Sequence, residues 1–235
     1  MPTSRASFQE ELLRLEEQAL GGLDMVVGIL DSALEALGHH DAELAAVVVA
    51  DDDRINGRYL EVHQGVLSLL ALQAPVAGDL RLVAALLHVV KHLERIGDQC
   101  TNIAKMVPPL GHEPPTDSEI VHRIEAMGVH ARSLVRQARQ SFALRDPELA
   151  LDLARQDDTI DRLNREIFRR AIEIGGADAD LREWAMSMIL VARAIERIGD
   201  NAVDIGEQVA FVVTGLFREF QDASHPNGAP AEPPG

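Results

Sequence analysis

The chain has 235 residues, 46% of them apolar but only one Trp, one Tyr and six Phe, and its 38 acids against 22 Lys and Arg leave a formal net charge of −16. That length allows one large domain or two of about 100 residues, and so acidic a balance excludes bulk nucleic-acid binding, which needs a basic face. The single cysteine, Cys100, excludes an intrachain disulfide framework, and zinc-finger spacing is absent.

Apolar residues at helical spacing, from Phe8 through Leu12, Leu15, Ala19, Leu23 and Leu30 to Leu37, predict a first helix broken by Gly38-His39-His40. Gly21, Gly22 and Gly28 within it point to close packing or a kink. Asp41 is an N-cap, with Glu43 in the first turn of a second helix that runs to about Leu72. A break over Ala74-Pro75-Val76-Ala77-Gly78 follows, and Asp79 is expected to cap a third helix to about Val107. Pro108, Pro109, Gly111, Pro114 and Pro115 read as a linker. A fourth helix is expected over Asp117 to Leu144, and Asp146-Pro147 is a strong start for a fifth, running to about Ile174 and broken by Gly175-Gly176. A sixth extends from about Asp180 to Phe220, before a tail over 221–235 rich in Pro, Gly and Ala that reads as disordered. The most apolar segment, Leu80 to Val90, is far short of the roughly 20 residues of a membrane span. Met1 to Arg14 holds no apolar signal-peptide core. A cytoplasmic protein with no direct membrane insertion is expected.

The pattern repeats. Asp41-Ala42-Glu43-Leu44-Ala45 matches Asp146-Pro147-Glu148-Leu149-Ala150, 105 positions on. The pentapeptide ERIGD occurs at Glu94–Asp98 and again at Glu196–Asp200, 102 positions on. A three-residue length change in the loop between the second and third helices of each half accounts for the difference. The expected fold is therefore all-α: six long antiparallel helices in two tandem three-helix bundles, over residues 1–110 and 116–220.

Each ERIGD places two carboxylates four residues apart on one helix face, where like charges repel by roughly 0.2–0.5 kcal/mol. Glu94, Asp98 and Asn102 continue the apolar line of Val83, Leu87 and Val90, and Glu196, Asp200 and Asp204 continue that of Ala185, Ile189 and Ala192. Hairpin geometry supplies partners. Asp52 with Asp98, and Asn56 with Glu94, lie equally far from Pro75. Asp157 with Asp200, and Asp161 with Glu196, lie equally far from a point beside Asp178. Each half thus brings four oxygen-bearing side chains to one level between antiparallel helices. Unneutralised, such a cluster repels itself and resists burial. Oxygen-only ligands suit hard cations such as Mg²⁺, Ca²⁺, Mn²⁺ or Fe³⁺. The bland alternative is that the acids are solvated or paired with Arg95, Arg197 and other basic groups. The second half, with Asp161 and Asp204 where the first has Asn56 and Asn102, reads as the stronger site. His88 and His92 read as surface or core histidines rather than ligands, Cys100 as a small core residue, and Gly97 and Gly199 as places where another helix comes close.

The duplicated ERIGD, followed by Asn102 or Asp204, with Asp79-Leu80-Arg81 opening the third helix and Val191-Ala192-Arg193 preceding the second copy, resembles the PhoU family over roughly residues 8 to 220. The resemblance implies tandem three-helix bundles acting as a cytoplasmic, non-enzymatic accessory of phosphate transport. Such proteins repress phosphate uptake and the phosphate-starvation response. They contact the ATPase subunit of the phosphate ABC transporter and a sensor histidine kinase, and a homodimer is compatible with the resemblance. It also implies metal at the acidic motifs, with iron, zinc, manganese or magnesium in multinuclear clusters. The implied ligands here are Asp157, Asp161, Glu196 and Asp200, and in the first half Asp52, Glu94 and Asp98. The family often has Asn where Asp204 stands and an acid where Asn56 stands. Lys91 and Arg193 are implied partner contacts by position. The rival readings are a carboxylate-bridged di-iron oxidoreductase, whose Glu-x-x-His pairs are missing beside these acids, and a purely structural bundle.

Overall fold

The computed structural model describes residues 5–73, 75–111 and 113–220, the side chain of Asp180 excepted. The helices are α1 (Arg5–His39), α2 (Ala42–Leu72), α3 (Ala77–Leu110), α4 (Ser118–Leu144), α5 (Pro147–Ala177) and α6 (Ala179–Thr214), with no strand among the described residues. At 1.5 Å per residue each is about 40–50 Å long. The helices α1, α2 and α3 pack against one another, as do α4, α5 and α6. The two sets meet where α3 lies on α6 and α1 on α4. The core is aliphatic: Leu15, Leu23 and Leu30 of α1 and Leu86, Leu93 and Ile96 of α3 are fully buried. Across the α1–α4 seam Asp31 pairs with Arg132 at 2.6 Å and Asp24 with Arg139 at 3.0 Å.

The repeat extends to the turns. α1 ends with His40 at φ 53° and α4 with Arg145 at φ 54°, 105 positions apart. In each turn the next residue's amide reaches back to close the helix, Asp41 to the Ala36 carbonyl and Asp146 to the Ser141 carbonyl. The carboxylates of Asp41 and Asp146 then accept from the first amides of α2 and α5, as their sequence contexts predict. Asp117 caps α4 in the same manner.

Several expected boundaries move. α3 starts at Ala77 after Val76, which makes no side-chain cap. Asp79 sits inside the first turn, where an acid still suits the helix dipole, and it pairs with Arg5 at 2.5 Å and accepts from Gln9. Pro108 and Pro109 lie inside the last turn of α3 rather than in a linker; their fixed φ suits a helix, and the lost amide hydrogen bonds and ring clashes fall at its end, which stops at Leu110. Gly175 and Gly176 belong to α5. Gly175 lies beside Arg182 at ordinary contact distance, its carbonyl accepting from Arg182 Nε at 2.9 Å, and neither glycine breaks the helix. α6 stops at Thr214, with Gly215 at φ 76°. The chain then turns back. Phe217 stacks on Phe211, the Phe220 amide donates to Glu207, and Phe220 is buried. The expected disordered tail, 221–235, lies outside the described residues. No described helix is long and apolar enough to cross a membrane.

Candidate functional site

In the first half, Asp52 and Asn56 of α2 face Glu94 and Asp98 of α3, all half-buried. Asn56 donates to Asp52 at 3.0 Å and the Thr101 hydroxyl donates to Asp52 at 3.3 Å. Lys91 Nζ pairs with Glu94 at 2.7 Å. Burial, and then the Glu94 and Asp52 carboxylates, hold the Asp98 carboxyl above its ordinary range. The sequence reading missed Thr101, whose place reads as an ordinary helix position.

The second half is more deeply enclosed. Asp157, Asp161 and Glu196 are 1%, 4% and 5% exposed, which is severe desolvation for three carboxylates. Burial, and then the neighbouring Asp200 and Asp161 charges, push Glu196 up to about 7, against the pull of Arg193. One Glu196 oxygen is paired to Arg193, while Oε2 is buried without a hydrogen-bond partner. Arg165 lies 3.6 Å from Asp161.

The glycines of the two motifs differ in what they admit. A Cβ on Gly97 would sit 2.9 Å from Ile55 Cγ2, and one on Gly199 would sit 2.1 Å from Asp157 Oδ1. Gly199 therefore makes room for a site carboxylate. Gly22 likewise clears Leu93, whereas Gly21 and Gly28 face open space, so packing explains only the first of those three. Gly199→Ala is expected to displace Asp157 and destabilise the fold by about 1–3 kcal/mol. Gly28→Ala, in open helix, is expected to stabilise by about 0.5–1 kcal/mol. Thermal unfolding of the two variants checks this contrast.

The remaining expected residues are placed differently. Asn102 is exposed and donates to Gln99. Asp204 reaches across to α3, where it lies 3.3 Å from His92 Nδ1. The buried His92 also contacts Asn201 Oδ1 at 2.9 Å, so it is a core residue of the α3–α6 seam, and burial lowers its basicity. Lys91 and Arg193, expected to face partners, hold motif glutamates while staying about half exposed. Burial raises the Cys100 thiol, which disfavours a thiolate nucleophile.

The donor chemistry of these clusters fits a hard cation. Burial first, and neighbouring acids second, raise the Glu196 and Asp98 carboxyls, and one Glu196 oxygen is buried without a hydrogen-bond partner, so a cation there would favour the ionised forms. Among the described residues, however, no three His, Cys, Asp or Glu side chains converge as a finished ligand cage. The clusters are gathered but not closed.

The PhoU domain model matches the chain twice, over residues 23–107 and 124–209. The chain belongs to the PhoU family. It is 35% identical over 211 residues to a phosphate-specific transport system accessory protein PhoU homolog of Zymomonas mobilis, covering 89% of this chain and 87% of that one. It is 30% identical over 220 residues to the homolog of Clostridium acetobutylicum, covering 93% and 100%. The crystal structure of PhoU from Pseudomonas aeruginosa superposes with a TM-score of 0.84 at 30% identity, covering 89% of this chain and all of that one. The phosphate transport system regulatory protein PhoU of Streptococcus pneumoniae superposes with a TM-score of 0.83 at 26% identity, covering 90% and 99%. These matches establish the all-α fold and its repeated PhoU unit.

Proposed function

We propose that this PhoU-family chain is a cytoplasmic, non-catalytic accessory of phosphate transport that binds metal at its acidic clusters and restrains phosphate uptake and the starvation response. Contact with the ATPase subunit of a phosphate ABC transporter and with a sensor histidine kinase would carry that restraint. Support for phosphate transport comes from the names of relatives matched over nearly their whole length. Support for metal comes from the Asp157, Asp161, Glu196 and Asp200 cluster, above all the buried, unpartnered Glu196 oxygen. Asp52, Glu94 and Asp98 would form a second, weaker site, because Asn56, Thr101 and Lys91 already engage its acids. An ion at either place would supply positive charge and join the paired helices.

In cells, disrupting the gene is expected to release a phosphate-starvation reporter at high phosphate, and the wild-type gene restores repression. Tagged protein is expected to retain the transporter ATPase or the kinase. An unchanged reporter, together with retention of neither partner at high or low phosphate, would defeat this reading.

A further inference from the structure

An outward groove of about 560 Å³ runs between α5 and α6, and four arginines line it: Arg162, Arg165, Arg169 and Arg193. No acid is among its lining residues, in a chain whose net charge is −16. The carboxylates lie underneath. Arg165 is held by the buried Asp161 and Arg193 by the buried Glu196, while Arg162 pairs at 3.1 Å with Glu166, which also reaches Arg123 of α4. Arg169 leans on the Arg165 carbonyl and pairs with no acid among the described residues. Acids beneath thus hold Arg165 and Arg193 while about half of each stays exposed, which reduces the ordering cost of engaging an anion.

Between the arginines the floor is apolar. Phe168 and Leu190 are 50% and 59% exposed. Ile172, four residues after Phe168, and Met186, four before Leu190, continue the strip along the same two helices, also largely exposed. The equivalent face of α2 also exposes two leucines, Leu60 and Leu67, but no apolar aromatic side chain stands where Phe168 does.

The internal repeat provides a control. At the equivalent places the first half carries Gly57, Leu60, Gln64 and Lys91 for the four arginines, and His63 and His88 for Phe168 and Leu190. That half forms the same α2–α3 hairpin without them, so helix packing does not require this surface.

We propose that the α5–α6 groove docks an acidic amphipathic helix of a partner protein, its apolar side chains on Phe168 and Leu190 and its carboxylates on the arginines. A helix laid in a groove between two helices matches the apolar strip, and bidentate carboxylate recognition matches the guanidiniums. An anionic bilayer fits less well, being flat where the groove is concave, and the remaining acidic surface repels it. The proposal rests on the adaptor reading only in assuming that the chain has protein partners.

The probe is a fluorescent amphipathic peptide with Leu at helical spacing on one face and Glu on the other, followed by anisotropy with the full-length protein. Binding is expected, with affinity falling about tenfold or more in Arg169→Glu and in Phe168→Ala, and unchanged in the repeat-equivalent Gln64→Glu and His63→Ala. Both test positions are exposed, and circular dichroism verifies that each variant is folded. No binding, equal binding of a Lys-for-Glu peptide, or indifference to Arg169→Glu and Phe168→Ala would overturn the proposal. So would binding of phosphatidylglycerol vesicles without the peptide, or displacement of the peptide by inorganic phosphate with no effect of Phe168→Ala. If the variants lose the peptide yet retain full repression in cells, the groove stands and its role in phosphate regulation fails. If they bind the peptide normally, the groove fails and the adaptor reading is untouched.

Discussion

Adding Mn²⁺ to metal-free protein is expected to raise its thermal midpoint, and Glu196→Gln combined with Asp200→Asn is expected to abolish that rise. An ion present at a hundred times its Kd stabilises the folded state by about 2.7 kcal/mol. For a chain of this size that corresponds to roughly 5–10 °C. The double variant removes a buried carboxylate with an unpartnered oxygen together with its nearest repelling neighbour, and leaves the apolar packing around Ile195 and Ile198 in place. Without metal at neutral pH, the variant is therefore expected to melt above the wild type. Glu94→Gln with Asp98→Asn is expected to preserve more than half of the Mn²⁺ effect, because Lys91, Asn56 and Thr101 already engage the first cluster. Scanning calorimetry with and without Mn²⁺ separates these outcomes. A full Mn²⁺ response in the Glu196/Asp200 variant would contradict the site assignment.

Metal-free wild-type protein is expected to lose stability as pH rises from about 4.5 to 7, the reverse of the usual carboxylate behaviour. Burial pushes Glu196 from the ordinary 4.5 of an unfolded glutamate up to about 7, so across that window the folded state binds more protons. Its stability penalty is absent below the unfolded value and complete above the folded one, on the order of 3 kcal/mol. Asp98, also raised by burial and neighbouring acids, acts in the same direction. Below this window the opposite sign takes over. Arg170 holds Asp117 low and Arg123 holds Glu166 low, so the stability they contribute is lost as pH falls further. Chemical denaturation of metal-free protein should therefore peak near pH 5. Glu196→Gln should flatten the decline toward neutral pH. A wild-type profile that rises steadily to pH 7.5 would refute the buried-acid account.

What the sequence showed depended on whether the deciding physics was local. Asp41 and Asp146 cap α2 and α5 as expected, because a cap depends on neighbouring residues alone. Asp79 was misplaced, since an acid at the N-cap and one in the first turn are similar in sequence, and its contact with Arg5 is tertiary. Gly175-Gly176 reads as a helix break because glycine disfavours a helix interior, yet α5 runs through both, its Gly175 carbonyl accepting from Arg182 of α6. The pairing of α2 with α3 and of α5 with α6 was legible, since hairpin symmetry puts Asp161 beside Glu196 and Asp52 beside Asp98. The α3–α6 seam was not, because nothing in hairpin geometry governs how the two halves cross. The contacts of His92 with Asn201 and Asp204 therefore appear only in the structure. Lys91 and Arg193, named from the sequence as partner contacts by position, each stand three residues before a motif glutamate and pair with it, a contact that the spacing allows but does not require.

An ion is proposed to hold the enclosed acids of α5 and α6 together. Elemental analysis of protein purified without added metal tests it most directly, wild type beside Glu196→Gln/Asp200→Asn. Bound metal is expected in the wild type and is expected to be lost from the variant. A wild type free of metal, or a variant with the same metal content, would contradict it.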